Sequence, residues 1–156
     1  NWAQKHLKCV RQNYSKANCF GDYVDELERV YNQSWQNLNE LNLTMLHWFC
    51  DSLGIDKTKL VLSSTLNAAG ESNQRLVNIC KAVGADQYYC GKYAAEIYID
   101  QQLFQDNNIS LKLQDWKAPQ YTQLYPKAGF CKDLSILDLL MNHGGQSLDI
   151  LRSGVK

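Results

Sequence analysis

Along the first third of the chain, apolar residues return at steps of three and four. Leu7, Val10 and Tyr14 fall on one helical face, and Tyr23, Val24, Leu27, Val30 and Tyr31 on a second. Trp35, Leu38, Leu41, Met45, Phe49 and Leu53 form a third and longer series. This spacing predicts three amphipathic helices. Gly21 is expected to break the chain before the second helix, with Asp22 as its cap, and Gly54 to end the third.

After residue 57 the pattern changes. KLVLSS (59–64) is a short run of leucine and valine, expected to be a buried strand. Leu76, Ile79, Cys80 and Val83 then repeat with helical spacing, and Gly84 is expected to stop that helix. DQYYCG (86–91) reads as a second strand and residues 93–107 as a helix carrying Leu103 and Phe104. In ISLKLQ (109–114), Ile109, Leu111 and Leu113 alternate, as in a third strand. Strand, helix, strand, helix, strand with short connections implies parallel pairing through right-handed crossovers. The expected fold class is therefore α/β. N-terminal helices (1–57) precede a small parallel βαβαβ sheet (58–116), and a loop with C-terminal helices (117–156) follows. These parts form a single domain or the C-terminal fragment of a longer chain.

Composition narrows the function classes. The 156 residues suffice for one domain with a core. Apolar residues make 45% and charged residues 21%, an ordinary globular balance. Lys+Arg and Asp+Glu both number 16, so no basic excess points to nucleic acid. No apolar run is long enough to span a bilayer, and no leader sequence is visible at the start. The expected location is the cytoplasm. The chain opens at Asn1-Trp2 without Met, as a fragment or processed chain does. Six cysteines stand at 9, 19, 50, 80, 90 and 131 without a CxxC pair, and reduced thiols are expected. His6, His47 and His143 have no metal-ligand spacing, so no metal or other cofactor is expected.

Candidate chemistry follows from topology. In open parallel sheets, ligands bind outside the carboxyl ends of the strands. Here those ends are Ser63-Ser64, Cys90-Gly91-Lys92 and Gln114-Asp115-Trp116. They offer two hydroxyls, a thiol, a glycine, an ammonium and a carboxylate. Each has a plain alternative. Cys90 is either a nucleophile favoured by Lys92 or a packing residue. Ser63 and Ser64 either bind ligand or turn the backbone. Lys92 either holds an anion or is solvated. Tyr93, with Tyr88, Tyr89 and Tyr98, either lines a sugar or base site or rims the core. The stretch DWKAPQYTQLYPKAGFC (115–131) holds both prolines and many aromatics, and is longer than a bare turn requires. Loops of this length in compact domains are often functional.

From residue 60 onward the order of features becomes specific: GESNQRLVNICKAVGADQYYCGKYAAEIYID, then LFQDNNISLKLQDWKAPQYTQ, then FCKDLSILDLLMNHGG. This order resembles the WbqC-like family, found among bacterial O-antigen and surface-polysaccharide genes. The resemblance rests on Tyr88, Gly91, Tyr98, Ile109, Tyr121 and Gln123, then on Phe130, Leu134, Ser135, Ile136, Asp138, Leu140, Asn142 and Gly144. Trp2, His6 and Tyr14 resemble the family's linking segment. It departs at Cys90, where relatives commonly have Ser, and it does not include the strand and His-Gln-Pro motif with which relatives begin. The resemblance implies a transferase in surface-polysaccharide synthesis that moves an aminoacyl group, glycine in particular, onto a sugar. Its substrate is then a small molecule or sugar nucleotide. It adds Tyr121, Gln123 and Asp138 to the candidate ligand-binding residues and assigns none a catalytic role. The alternatives are a non-catalytic module binding a sugar nucleotide or carrier, or an inactive C-terminal fragment of such an enzyme.

The closing stretch DLSILDLLMNHGG (133–145) also reads as a helix with made ends. Ser135 stands at the N-cap and Asp138 at the acidic position of a capping box, with Leu134 and Leu139 as a hydrophobic staple. Gly144 stands just past the end. In this reading Asp138 meets the helix dipole and is structural. Ser135→Ala is expected to cost about 0.5–2 kcal/mol of stability, read as a fall in melting temperature.

Overall fold

The computed structural model describes residues 2–154. Its helices are α1 (Trp2–Tyr14), α2 (Phe20–Tyr31), α3 (Leu38–Ser52), α4 (Ser72–Val83), α5 (Lys92–Ile97), α6 (Gln101–Asp106), α7 (Ile136–His143) and α8 (Ser147–Ser153). The strands are β1 (Gln87–Gly91) and β2 (Ser110–Gln114). The chain forms two compact units. One is built from the chain up to Thr58 and from Lys117 onward, the other from Lys59–Trp116.

The first unit is helical. Leu7 of α1, Ala17, Leu27 of α2 and Met141 of α7 make its buried centre, with Val10, Tyr14, Phe20, Tyr23, Met45 and Trp48 packed around them. The faces expected for the first two helices meet here, whereas the face expected for the third contributes Met45, with Trp48 beside it, and leaves Leu38 exposed. At the start of α1, Trp2 and His6 meet edge to face at 5.4 Å, and both meet Tyr31 of α2. The helix starts differ from expectation. Gly21 lies inside α2 rather than before it, and Cys19 occupies the cap position. Asp22 sits in the first turn, where its charge still faces the positive helix end. Trp35 precedes α3 and donates its indole N–H to the Val30 carbonyl at 2.8 Å. Asn37 starts α3 instead, its side chain accepting from the Glu40 N–H.

The second unit centres on Val77 and Cys80 of α4, Phe104 of α6 and Ile109. β1 and β2 pair in parallel, with Tyr88 opposite Leu111 and Cys90 opposite Leu113. Tyr88 reaches inward, its ring 5.1 Å from that of Phe104. Gly84 ends α4 in the left-handed conformation, as expected.

Two expectations for this unit are corrected. The sheet has two strands, because KLVLSS is not one of them. Residues 59–62 have no regular structure, Ser63–Thr65 form a single 3-10 turn, and Leu60, Val61 and Leu62 are exposed. A strand is defined by the neighbour it pairs with, and a short apolar run specifies none. The single helix expected over 93–107 is two. Asp100 accepts from the Leu103 N–H and so begins α6, while the Asn73 side chain bonds the Tyr98 carbonyl and the Asp100 N–H across the break. Those side-chain bonds satisfy the backbone groups that a continuous helix would have paired.

α7 matters most for the site. Ser135 accepts the Leu137 N–H at 3.3 Å and Gly144 closes the helix at φ +53, so the ends are those expected. The turn after α7 lies against the turn before α2: the Cys19 N–H donates to the Met141 carbonyl at 2.9 Å. A Cβ placed on Gly144 would stand 2.9 Å from the Cys19 sulfur. Gly144→Ala therefore meets both an unfavourable backbone angle and a clash. It is expected to lower stability by about 1–3 kcal/mol in thermal or denaturant melts. Adding Cys19→Ala should recover the steric part only.

Candidate functional site

The segment between the second unit and α7 packs onto the helical unit through side chain to backbone bonds. The Lys117 N–H donates to the Gly154 carbonyl at 2.9 Å, and the Tyr125 hydroxyl to the Asn13 carbonyl at 3.2 Å. Gln123 clamps the segment to itself. Its amide N–H donates to the Cys131 carbonyl and its carbonyl accepts the Cys131 N–H, both at 2.8 Å. Burial of a loop requires such partners for its backbone.

Asp138 lies beneath this strap. It is 4% exposed and does not cap its helix. The capping-box expectation fails here: the carboxylate turns inward. Oδ2 accepts from the Tyr121 hydroxyl at 2.8 Å and from the Gln123 amide at 3.2 Å. Tyr14, from α1, lies near enough for the same carboxylate to act on its phenol. Tertiary donors thus outcompete the local N–H that a capping box would have used. Burial, and then the Asp138 bond, push the Tyr121 phenol up to about 12. Burial first and Asp138 second push Tyr14 up as well. Both phenols therefore stay protonated donors at neutral pH.

Above Asp138 opens a cavity of about 390 Å³, whose walls include Tyr14, Asn13, Gln123, Cys9 and Cys131. It mixes a carboxylate, two phenols, amides and two exposed thiols with apolar wall from Leu124 and Leu134. That is the usual mixture of a small-molecule site: apolar surface with a few convergent polar groups. Tyr121 is braced edge to face by Phe130 at 5.4 Å and by His143 at 5.6 Å. So Asp138 and His143, at opposite ends of one helix, meet through Tyr121 rather than directly.

The sequence candidates divide between the two units. Tyr121, Gln123 and Asp138 come together as one hydrogen-bonded set. The other seven lie in the second unit. Ser63 and Ser64 sit exposed in the 3-10 turn, so the strand end that was to present them does not exist. Cys90 is buried at 8% on β1, behaving as packing. Gly91 ends β1 opposite Gln114, and Lys92 begins α5 exposed. Tyr93 is exposed and meets Tyr98 edge to face at 6.1 Å, and Asp115 is exposed after β2. Tyr14, Asn13, Cys9 and Cys131 were not among the candidates. Tyr14 carried one signal, its place in the family's linking segment. No group of three or more His, Cys, Asp or Glu positioned for a metal occurs among the described residues.

The fold and cavity define a mixed helix and strand protein with a phenol-lined carboxylate site in its helical unit. The chain belongs to the WbqC-like protein family, whose model matches residues 1–150. It is 34% identical over 154 residues to an uncharacterized protein of Mycobacterium tuberculosis. That match covers 97% of this chain, which spans 65% of the relative's length. No solved structure matches it. No helix among the described residues is long and apolar enough to cross a membrane.

The phenols generate a pH prediction. An unfolded tyrosine ionises near pH 10, and Tyr121 in the fold only near about 12. Its contribution to stability is therefore full below pH 10 and is lost as pH rises through 12. Tyr14 acts in the same direction. In urea melts between pH 10 and 12, stability of the unaltered protein should fall. The Tyr14→Phe, Tyr121→Phe double variant should show a shallower fall. A residual slope is expected from Tyr23, Tyr31 and Tyr88, whose phenols burial also pushes up.

Proposed function

We propose that this chain is part of a transferase that moves an aminoacyl group, glycine in particular, onto a sugar of a bacterial surface polysaccharide, and that the Asp138 cavity is where the acceptor is held. The observation that carries the reading is a buried carboxylate at the floor of a cavity, surrounded by protonated phenols. Family membership supports the setting.

Acyl transfer needs an acceptor for the proton of the incoming nucleophile and donors for the tetrahedral oxyanion. Asp138 is the acceptor in this arrangement. Its Oδ2 is taken by Tyr121 and Gln123, which leaves Oδ1 as the oxygen with capacity to spare. The hydroxyl or amine of the sugar loses its proton toward that oxygen as its own atom bonds to the acyl carbon. The oxyanion takes its hydrogen bond from Tyr14, whose phenol lines the cavity and turns from Asp138 to the developing charge, and collapse expels the acyl carrier. Tyr121 and Gln123 also fix the carboxylate's rotamer. Cytoplasmic reaction on a sugar nucleotide, before export of the polysaccharide, fits this scheme.

A second reading is a binding module without chemistry. It is favoured by one observation: Tyr121 and Gln123 already hydrogen-bond Asp138 within the protein.

The full-length protein, incubated with activated glycine and a set of nucleotide sugars, should add the mass of a glycyl group to one acceptor. Asp138→Asn should lower that rate by about 10²–10⁴. Mass gain unaffected by Asp138→Asn removes Asp138 from the chemistry. Acceptor binding without mass gain from any donor selects the binding module.

A further inference from the structure

We propose that a second cavity in the helical unit, formed by Asn18, Asn142, His143, Gln146 and the strap residues Thr122 and Gln123, binds an uncharged sugar ring. It is larger than the Asp138 cavity, about 720 Å³, within the range of small-molecule sites. That this ring belongs to the same acceptor as the group held at Asp138 rests on the transfer reading; the binding does not.

The argument is from what lines the walls. Among the described residues, no Asp, Glu, Lys or Arg lines this cavity. The Cys19 thiol, also in the wall, is pushed up by burial and then by Asp22, so it stays neutral. A phosphate or carboxylate ligand would look for a guanidinium, an ammonium or a nest of N–H groups. The wall instead offers amides, each with a carbonyl acceptor and a two-hydrogen donor, beside one hydroxyl and one imidazole. Sugar hydroxyls both donate and accept, and such groups match them in kind.

Two of these side chains are held in place by bonds that leave a defined group free. Asn142 is 9% exposed and donates its amide to the Asp138 carbonyl at 2.7 Å, which leaves its own carbonyl oxygen unspent by that bond. His143 Nε2 lies 2.9 Å from the Thr122 carbonyl. A carbonyl only accepts, so Nε2 carries the proton, and Nδ1 of a neutral ring is an acceptor. Leu124 and Pro126 add apolar wall. Gln123 and Leu124 line both cavities, so the strap is the shared partition between this site and Asp138.

The test uses methyl glycosides of glucose, N-acetylglucosamine and fucose as probes, with binding followed by saturation-transfer NMR and titration. At least one should bind with a dissociation constant on the order of 1 mM. The Asn18→Leu, Gln146→Leu variant alters two exposed wall residues and should keep the fold, checked by its melting temperature. It should weaken binding by about tenfold or more, the loss of one or two hydrogen bonds. Asp138→Asn should leave glycoside binding in place, which separates this site from the chemistry. Binding of inorganic phosphate in preference to the glycosides overturns the proposal. So does an unchanged affinity in the double variant, or no glycoside binding at all. If glycosides bind and the double variant loses them while no transfer is found, the transfer reading fails and the sugar site stands.

Discussion

The hydrogen bonds to Asp138 are the constraint on which the helical unit depends. A carboxyl group taken out of water is costly unless it is paired. Here the hydrogen bonds come from Tyr121 and Gln123 in the strap, and Tyr14 at the end of α1 faces the same carboxylate, all converging on α7. Satisfying one buried group therefore fixes the ends of two helices and the course of a loop that has little regular structure of its own. Gln123 extends the effect, because its amide bonds the Cys131 backbone in both directions. The same set of bonds that stabilises the unit leaves a shaped cavity above the carboxylate.

The turn after α7 is the second fixed point. Gly144 at φ +53 permits the close approach of Cys19. That approach, held by the Cys19 to Met141 backbone bond, brings the turn before α2 to the wall of the larger cavity. His143 faces the strap from the same turn and meets the Tyr121 ring edge to face. Positions 142–144 thus serve helix termination, Tyr121 placement and cavity lining at once. The exposed ion pairs, Arg11 with Glu28 and Arg29 with Glu26, add little by comparison.

The second unit shows how little of a parallel sheet needs to be present for its register to be defined. Tyr88 and Leu111 are paired neighbours that both pack on the Val77, Cys80, Phe104 and Ile109 core. The break between α5 and α6 is set by Asn73 and Asp100 rather than by any loss of helical pattern.

Legibility in the sequence followed the range of the interactions. Helix faces, the Gly84 and Gly144 stops, the Ser135 cap and the parallel β1 and β2 were readable, because period and capping are local properties of a few residues. The motif order also marked the family, and with it Tyr121, Gln123 and Asp138. What the sequence misassigned were features whose outcome depends on a distant partner. KLVLSS has strand composition but no strand beside it, and Asp138 has the spacing of a capping box but stronger donors across the core. Tyr14, Asn18 and Cys131 carry no local mark of the cavities they line. The sequence by itself determined most of the helical segments, the glycine stops after α4 and α7 and which family this is. Only the tertiary structure decided which polar groups meet, because a buried carboxylate chooses its partners by what the whole fold brings within hydrogen-bond reach.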